Sequence, residues 1–332
     1  MASIFMRLKE SWDLTEEKIG GLNLLQRIWV LADSAWERFA HGANKVDYFQ
    51  YGFYYKRRPC REQFVTIKKL RLFHHTCNDQ EKRLIFAEKA RFANEFRDYL
   101  GRDVLDMTSV SFQEFEAFAK THDKMFLKPA DGTYGRGVSI IECGLETDLR
   151  ALYDSLAGRS ILAEEVIHQH PAMAAFNESS LNSVRIVTLV RANGEPVILP
   201  GAAIRIGRKG RIADNFHHNG IAAQIDIETG IVCSTAIDKT GNRHVSHPDS
   251  GLPVIGFQIP MWSEVCKRVK QAALVYPEVR YVGWDVAVTN DNRVVLVEGN
   301  DRADPDLGQM SDGVGKWPIY KKYLDEIIAL RK

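Results

Sequence analysis

The sequence predicts an α+β fold, with a helical N-terminal region followed by at least two mixed lobes. Through residues 11–100, apolar residues recur at the intervals that are typical of amphipathic helices. After Met107, short strand-like runs alternate with helix-like runs, and the turns between strands are mostly short. Because short turns join antiparallel neighbours, the sheets are expected to be mainly antiparallel.

Two segments of the N-terminal region carry the helical pattern. In residues 22–40, the apolar side chains that follow a 3.6-residue period are Leu25, Ile28, Trp29, Ala32, Trp36 and Phe39. In residues 81–100, the corresponding side chains are Leu84, Ile85, Phe92, Phe96 and Leu100. Gly101 is the expected C-cap of the second helix.

The remaining elements are predicted from alternation, caps and stops. Strands are expected at residues 125–129, 138–143, 160–167, 184–190, 197–206, 220–226, 230–238, 281–289 and 293–300. Helices are expected at residues 112–120 behind a Ser111 cap, at 146–156 before Gly158, from Ser263 to Pro277, and at the C-terminus.

Composition narrows the class of protein. The 332 residues are 45% hydrophobic and 26% charged with a net charge of +1, which suits a globular protein and gives no sign of a nucleic-acid partner. Five cysteines lie far apart without a CxxC pair, so reduced thiols are expected and a cysteine-based zinc site is not. The N-terminus has no signal-peptide pattern and no segment is long enough to span a bilayer. We therefore expect a cytoplasmic protein.

The first motif with chemical content is a glycine-rich hairpin at residues 128–138. Gly132, Gly135 and Gly137 separate two predicted strands, and backbone amides in such a turn can close over phosphate oxygens. Lys128 adds a positive charge at the end of the first strand. The motif matches neither a Walker A loop nor a Rossmann fingerprint. A plain hairpin turn is the alternative.

The second motif is the strand ILAEEVI at residues 161–167. A strand that ends in paired acids, here Glu164 and Glu165, can turn one carboxylate towards an adenine amino group, while neighbouring backbone groups contact the edge of the ring. Taken alone, the motif favours the alternative of two solvated surface glutamates.

The third motif is a predicted hairpin that runs from Asp285 to Glu298. If Asp291 and Asn292 form a two-residue loop, these two acids face each other, with Cβ atoms about 5 Å apart. Asn300 shares the face of Glu298. Facing carboxylates repel unless a cation lies between them, and two carboxylates with an amide oxygen suit Mg²⁺.

Two alternatives to this metal site remain open. A three-residue loop would make the carboxylates diagonal neighbours. In the other alternative, the two acids are edge residues that pair with Arg280 or Arg302.

In this order, the three motifs resemble those of the ATP-grasp superfamily. From about residue 81 onward, the chain is most similar to the sugar-transfer-associated branch, which implies an ATP-grasp fold of two α+β lobes around ATP and Mg²⁺. The implied nucleotide contacts are Lys128, the lid residues Gly132, Gly135 and Gly137, the hinge residues Glu164, Val166 and Ile167, then Asn182 and Lys89. The implied metal ligands are Asp285, Glu298 and Asn300, and the implied catalytic arginines are Arg185, Arg205 and Arg302.

The resemblance also implies a division of the chain. Residues 1–80 form a helical N-terminal region, and residues 81–332 form the ATP-grasp domain, with a lid subdomain at about 122–167 and a metal-binding subdomain at about 180–320. Three features depart from the usual family pattern: Gly283 stands where many relatives have an arginine, EGNDRADPD replaces the usual end of the metal strand, and the first 80 residues are helical. The substrate class therefore stays open.

Two further segments have alternative interpretations. The loop at residues 214–226 resembles one that approaches the γ-phosphate in related ligases, which makes Asn215, His217, His218 and Asn219 candidate phosphate or substrate contacts; the alternative is a polar hairpin loop. In residues 49–91, basic residues are interspersed with aromatic ones. A solvated helix face is favoured there over a site for a polyanion such as an anionic glycan acceptor.

The implied reaction joins a carboxylate to an amine through an acyl phosphate, with ADP as a product. The substrates are expected to be small molecules or glycan-linked groups. A phosphotransferase with the same nucleotide site and a non-catalytic nucleotide-binding module are the alternatives.

Overall fold

A computed structural model describes residues 2–130, 137–144, 147–210 and 220–331. Six predicted site residues lie outside these ranges: Gly132 and Gly135 of the lid, and Asn215, His217, His218 and Asn219 of the loop.

Helices form the N-terminal part of the chain, as predicted. They are α1 Ala2–Lys18, α2 Leu24–Ala40, α3 Lys45–Gln50, α4 Arg58–Arg61, α5 Ile67–Cys77, α6 Lys89–Glu95 and α7 Arg97–Leu100, with 3-10 turns at Phe53–Tyr55 and Lys82–Phe86.

The helix predicted at residues 81–100 is divided into a 3-10 turn, α6 and α7. The breaks occur at Glu88 and Phe96, whose backbone angles leave the helical region. They allow the Phe92 and Phe96 rings to stack at 4.6 Å and to contact the core beside Trp284. Tertiary packing therefore overrides the local helical period. Gly101 ends α7 with φ +71°, as predicted for a C-cap.

Helix α2 also forms as predicted, but its apolar stripe faces outward. Leu25, Trp29 and Phe39 are 76%, 53% and 84% exposed, whereas the buried positions are Val30, Ser34 and Glu37. An amphipathic stripe usually faces a core. The inward face is instead occupied by ion pairs.

A four-stranded antiparallel sheet follows the helical region. Its strands are β1 Val104–Asp106, β2 Lys124–Pro129, β3 Ser139–Glu142 and β4 Ile161–Glu165, in the order β1-β4-β2-β3. Helices α8 Phe112–Thr121 and α9 Leu149–Leu156 pack on it through Phe115, Phe118 and Leu156. Ser111 caps α8 in a capping box with Glu114, which confirms the predicted cap.

A second antiparallel sheet has eight strands. They are β5 Ser183–Val190, β6 Pro196–Ile198, β7 Ala203–Ile206, β8 Ile221–Gln224, β9 Ala236–Ile237, β10 Arg243–His244, β11 Tyr281–Val288 and β12 Val294–Asn300. Their order is β10-β9-β8-β7-β5-β11-β12. Strand β6 lies on the same side of β5 as β7: β7 pairs with the first residues of β5, and β6 pairs with the last. The remaining helices are α10 Pro171–Ala174, α11 Trp262–Ala273, α12 Asp306–Asp312 and α13 Trp317–Ala329.

The two faces of this large sheet have separate cores. Side chains of β11 that include Trp284 and Val286 pack on the side of α11, whereas Tyr281 packs with α5 and α13. Since side chains alternate along a strand, Asp285 shares the face of Tyr281 and not that of Trp284. No helix within the described ranges is long and apolar enough to cross a membrane.

The turn between β11 and β12 differs from the predicted two-residue loop. The Thr289 amide donates to the Arg293 carbonyl at 2.9 Å, so residues 290–292 form a three-residue loop, with Asn292 at φ +63°. On β11, Val288, Ala287 and Val286 pair with Val294, Val295 and Leu296 of β12, respectively. If this register continued, Glu298 would lie opposite Trp284. A bulge inserts Val297 between Leu296 and Glu298, so Glu298 pairs with Asp285. The predicted pairing is confirmed, although the predicted loop length is wrong.

Substitution of Gly101 tests the approach of α7 to this hairpin. A Cβ at position 101 would lie 2.6 Å from the Val294 carbonyl oxygen, so Gly101→Ala must displace backbone in addition to straining a positive φ. Gly158→Ala is the matched control, because Gly158 has φ +73° but open space around it. Urea unfolding should show a loss of about 1–2 kcal/mol for the control and roughly 1–3 kcal/mol more for Gly101→Ala. Equal losses would contradict the close approach.

Candidate functional site

Lys128 lies at the end of β2 and forms an ion pair with a buried acid on β4. Its Nζ is 2.6 Å from Oε1 of Glu164, which is 5% exposed. The Nε of Arg102 donates to the other carboxylate oxygen at 3.2 Å. Burial alone would raise the pKa of Glu164, but the positive charges of Arg102 and Lys128 lower it below its ordinary value. Glu164 is therefore an anion held between two cations.

Lys89 and Gly137 meet at the same end of β2. The Lys89 Nζ donates to the Pro129 carbonyl at 3.0 Å. Gly137 has φ +76°, and a Cβ there would lie 3.1 Å from the Pro129 ring. The two predicted nucleotide lysines, Lys89 and Lys128, therefore approach one strand end.

Arg102 connects this lysine-bearing sheet to the bulge in β12. Its guanidinium donates to the carbonyls of Leu296 and Val297, the latter at 3.1 Å, while it also contacts Glu164. Leu296 and Val297 are the residues at which the register of β12 shifts. The same buried side chain thus supports the orientation of Lys128 and of Glu298.

Asp285 and Glu298 face each other as cross-strand partners on β11 and β12. Asp285 is 7% exposed and accepts from two arginines, Arg185 on the adjacent β5 and Arg205 on β7, one strand further away. Arg185 donates through Nε at 2.5 Å and Nη2 at 2.9 Å, and Arg205 donates through Nη1 at 3.1 Å. The partners of Asp285 are thus Arg185 and Arg205, and not Arg280 or Arg302.

The two facing carboxyls have opposite electrostatic environments. Burial alone would raise the pKa of Asp285, but Arg185 and Arg205 lower it. The Glu298 side chain is exposed to solvent, although protein atoms surround its carboxyl group closely. This crowding and the charge of Asp285 raise the pKa of Glu298, against the opposing charges of Arg185, Lys128 and Arg205. One acid is held ionised and the other resists ionisation.

Asn300 and Arg302 lie beyond the facing pair. Asn300 is paired with Gly283 on β11, two residues from Glu298 and on the same face. Its Oδ1 accepts from the backbone amide of Arg302 at 2.9 Å. The Arg302 side chain is 66% exposed and lies 3.9 Å from Asp301, so it does not join Arg185 and Arg205 at Asp285.

Asn182 does not have the geometry of a nucleotide contact. Its side chain is 1% exposed; Nδ2 donates to the Met173 and Asn177 carbonyls at 2.9 and 2.8 Å, and Oδ1 accepts from the Gly207 amide at 3.0 Å. These contacts tie the start of β5 to the segment before it and to the end of β7. The predicted ATP contact at Asn182 is therefore corrected to a structural role, because both ends of the amide are engaged in the interior.

Val166 and Ile167 follow β4 and lead into the segment that joins the two sheets. Immediately after them, the backbone carbonyl of His168 accepts from the Asn290 amide at 2.8 Å. The His170 amide donates to the Val288 carbonyl at 2.7 Å. Both hinge residues are half-buried. They lie where the small sheet meets the β11–β12 hairpin.

Sequence analysis missed Arg102 and the partners of the arginines on β5 and β7. Arg102 follows a helix C-cap and belongs to no recognisable motif. Arg185 and Arg205 gave a usable signal, since each lies within an otherwise apolar strand where a charge requires a buried partner. The signal did not identify Asp285 as that partner.

The residues present fit a magnesium ion that is shared with a nucleotide. Among the described residues, no cluster of three or more His, Cys, Asp or Glu side chains is arranged around a common metal position. Mg²⁺ commonly takes one or two carboxylates and fills its shell with phosphate and water oxygens. Asp285 and Glu298 supply two carboxylates, and the raised pKa of Glu298 indicates an acid whose charge nearby cations compensate only in part.

Removing one charge from each facing acid should have opposite effects on stability. Asp285→Asn leaves Arg185 and Arg205 buried beside a neutral group and should cost about 3–5 kcal/mol in unfolding free energy. Glu298→Gln removes an acid whose ionisation is unfavourable in the fold, so at neutral pH the variant should match or exceed wild type. Because the pKa of Glu298 is raised, ionisation of this acid lowers the unfolding free energy of wild type. This loss is absent at pH values below the ordinary pKa of 4.5 and complete above the raised pKa. Urea unfolding at several pH values checks this, and equal destabilisation by both variants would contradict the assignment.

Comparison with known proteins gives one family match. The profile described as "Sugar-transfer associated ATP-grasp" matches residues 73–322. No curated protein matches the sequence.

Solved structures give distant matches. One is the ATP-grasp ligase PsnB in complex with a phosphomimetic variant of a minimal precursor, Mg and ADP, at 15% identity and a TM-score of 0.44; the match covers 77% of this chain and 62% of PsnB. N5-carboxyaminoimidazole ribonucleotide synthetase from Thermotoga maritima has 10% identity and a TM-score of 0.42, with 74% and 49% covered. Biotin carboxylase from Campylobacter jejuni has 14% identity and a TM-score of 0.43, with 73% and 46% covered. This chain thus spans less than two thirds of the length of each of these structures.

The family profile covers 250 of the 332 residues, including the β2 lysine, the hinge strand and the β11–β12 hairpin with its facing acids. The chain therefore belongs to the sugar-transfer-associated ATP-grasp family.

Proposed function

We propose that the protein is an ATP- and Mg²⁺-dependent ligase that joins a carboxylate to an amine through an acyl phosphate. The observation that carries the proposal is the pair of facing acids, Asp285 and Glu298, on a sheet whose neighbour presents Lys128 close enough for its charge to act on Glu298. Facing acids beside a lysine suit a polyphosphate that arrives with a divalent cation.

The nucleotide would lie between the two sheets. Lys128 and Lys89 would contact phosphate oxygens, with Gly132, Gly135 and Gly137 of the hairpin over them. Backbone groups of Val166 and Ile167 would contact the adenine edge. Because Glu164 already forms an ion pair with Lys128 and accepts from Arg102, its main role would be to orient Lys128, with a remaining lone pair available to the adenine amino group.

Asp285 and Glu298, with the Asn300 oxygen, would hold Mg²⁺, which when bound neutralises phosphate charge. The pKa shifts suit this arrangement, since Asp285 is ionised in advance and a cation would favour ionisation of Glu298. Asn300 would have to give up, or share, its hydrogen bond to the Arg302 amide.

The chain contributes positioning and charge to the reaction. A substrate carboxylate oxygen attacks the γ-phosphorus, the bond from that phosphorus to the bridging oxygen breaks, and ADP leaves with the electron pair. Arg185 and Arg205, aligned by Asp285, would stabilise the charge on the transferring phosphoryl group. The amine nitrogen then attacks the acyl carbon and loses a proton as phosphate departs. Exposed Arg302 would contact substrate at the rim of the site.

An acyl-phosphate trap tests this proposal. Purified protein with Mg²⁺, ATP and hydroxylamine would be screened against small-molecule and sugar carboxylates, because hydroxylamine intercepts an acyl phosphate as a hydroxamate. We expect ADP and hydroxamate in equal amounts for at least one carboxylate, with loss of both in Glu298→Gln. Glu165→Gln is the matched control, since Glu165 is a half-buried acid on β4 that pairs with Arg293 away from the facing pair.

The remaining outcomes contradict the proposal in distinct ways. ADP release that requires a hydroxyl substrate and gives no hydroxamate would identify a phosphotransferase. Nucleotide binding without ADP release across the whole screen would favour a non-catalytic module.

A further inference from the structure

The exposed face of α2 has no role in the proposed reaction. This face is defined by Leu25, Ile28, Trp29, Trp36 and Phe39, which are 49–84% exposed. They lie along one side of a 17-residue helix, which is roughly 25 Å long. Single exposed apolar residues are ordinary, but a continuous stripe with two tryptophans marks a contact surface.

The inward face of α2 carries the acids of the helix. Asp33 and Glu37 are its only acidic residues, and both contact the Arg61 guanidinium at 2.8 Å. The Glu37 side chain is fully buried, and that of Asp33 is 9% exposed. The orientation of the helix is therefore fixed by a buried ion-pair cluster, and the outward face carries no acid.

Basic side chains flank one end of the exposed face. The Arg58 guanidinium lies 5.6 Å from the Trp36 ring centroid, and Arg57 precedes it on an exposed turn. Among the described residues, the ion pairs include neither Arg57 nor Arg58. Acids near the other end of α2 are already paired, Glu16 with Arg27 and Glu17 with Lys18.

Helix α4 links these two sides of α2. In its single turn, Arg61 points inward to the acids of α2 and Arg58 points outward over Trp36. The basic, aromatic-rich segment around it accordingly has two parts: Arg61, Phe64 and Phe73 are buried, while Arg57 and Arg58 remain at the surface. The outer part adds positive charge beside the apolar stripe.

We propose that the exposed face of α2 docks the protein onto an anionic lipid surface. A convex helix with Trp, Phe and Leu on its outer side and arginines beside them has the chemistry of an interfacial helix. The apolar side chains would enter the headgroup boundary, and Arg57 and Arg58 would contact anionic headgroups. The protein would bind at the interface without spanning the bilayer.

Vesicle flotation tests the proposal with the full chain. Vesicles of phosphatidylcholine alone and of phosphatidylcholine with phosphatidylglycerol would be compared at low and high salt. We expect binding to the anionic vesicles, at least roughly thirtyfold weaker binding of Arg57→Glu/Arg58→Glu, and at least roughly tenfold weaker binding of Trp29→Ser/Phe39→Ser. Ile140→Ser/Val245→Ser is the matched control, because these residues are 49% and 65% exposed on other elements.

Thermal melting of each variant verifies folding, which exposed substitutions should preserve. Wild-type protein that floats with neither vesicle, or binding that the α2 variants leave unchanged, would overturn the proposal. A wild-type dimer in sedimentation analysis that Trp29→Ser/Phe39→Ser converts to monomer, without vesicle binding, would reassign the face to self-association. These measurements are independent of catalysis, so they can fail while the ligase proposal stands.

Discussion

The contacts of the buried Arg102 guanidinium connect the two halves of the candidate site. Arg102 pairs with Glu164, which holds Lys128, and it donates to the two carbonyls at which β12 changes register. Without the bulge, Glu298 would follow the core face with Trp284 and its charge would be buried among apolar side chains. The Arg102 side chain therefore links the orientation of Lys128 to the exposure of Glu298.

The facing acids illustrate how environment assigns different states to similar groups. Asp285 contacts two guanidinium groups and is ionised. Glu298 faces the negative charge of Asp285, and the positive charges that oppose its raised pKa are more distant. A site that holds one fixed anion and one reluctant anion is prepared for a cation and remains stable without it. The free-state protein thus stores some unfavourable electrostatic energy at the position where nucleotide and metal are proposed to bind.

Much of the fold followed from the sequence, because strands, caps and breaks leave local signals. The capping box at Ser111, the stop at Gly101 and the mainly antiparallel pairing of the strands belong to that class. Features that depend on partners far away in the sequence could not be predicted in this way. Nothing local distinguished a two-residue loop from a three-residue loop with a bulge, and Asn182 resembled a ligand contact until its interior partners were known. The apolar stripe on α2 follows the helical period but faces outward, because the ion pairs with Arg61 hold the opposite face of the helix inward.

Lys128 and Glu298 are proposed to act on one nucleotide, the lysine directly and the acid through a divalent cation. The most direct test is calorimetric titration of a non-hydrolysable ATP analogue, with and without Mg²⁺, into wild type, Lys128→Met and Glu298→Gln. Lys128→Met should weaken binding in both conditions, whereas Glu298→Gln should bind as well as or better than wild type without Mg²⁺ and lose most of the gain that Mg²⁺ provides. The same Mg²⁺-dependent gain in Glu298→Gln as in wild type would contradict the account.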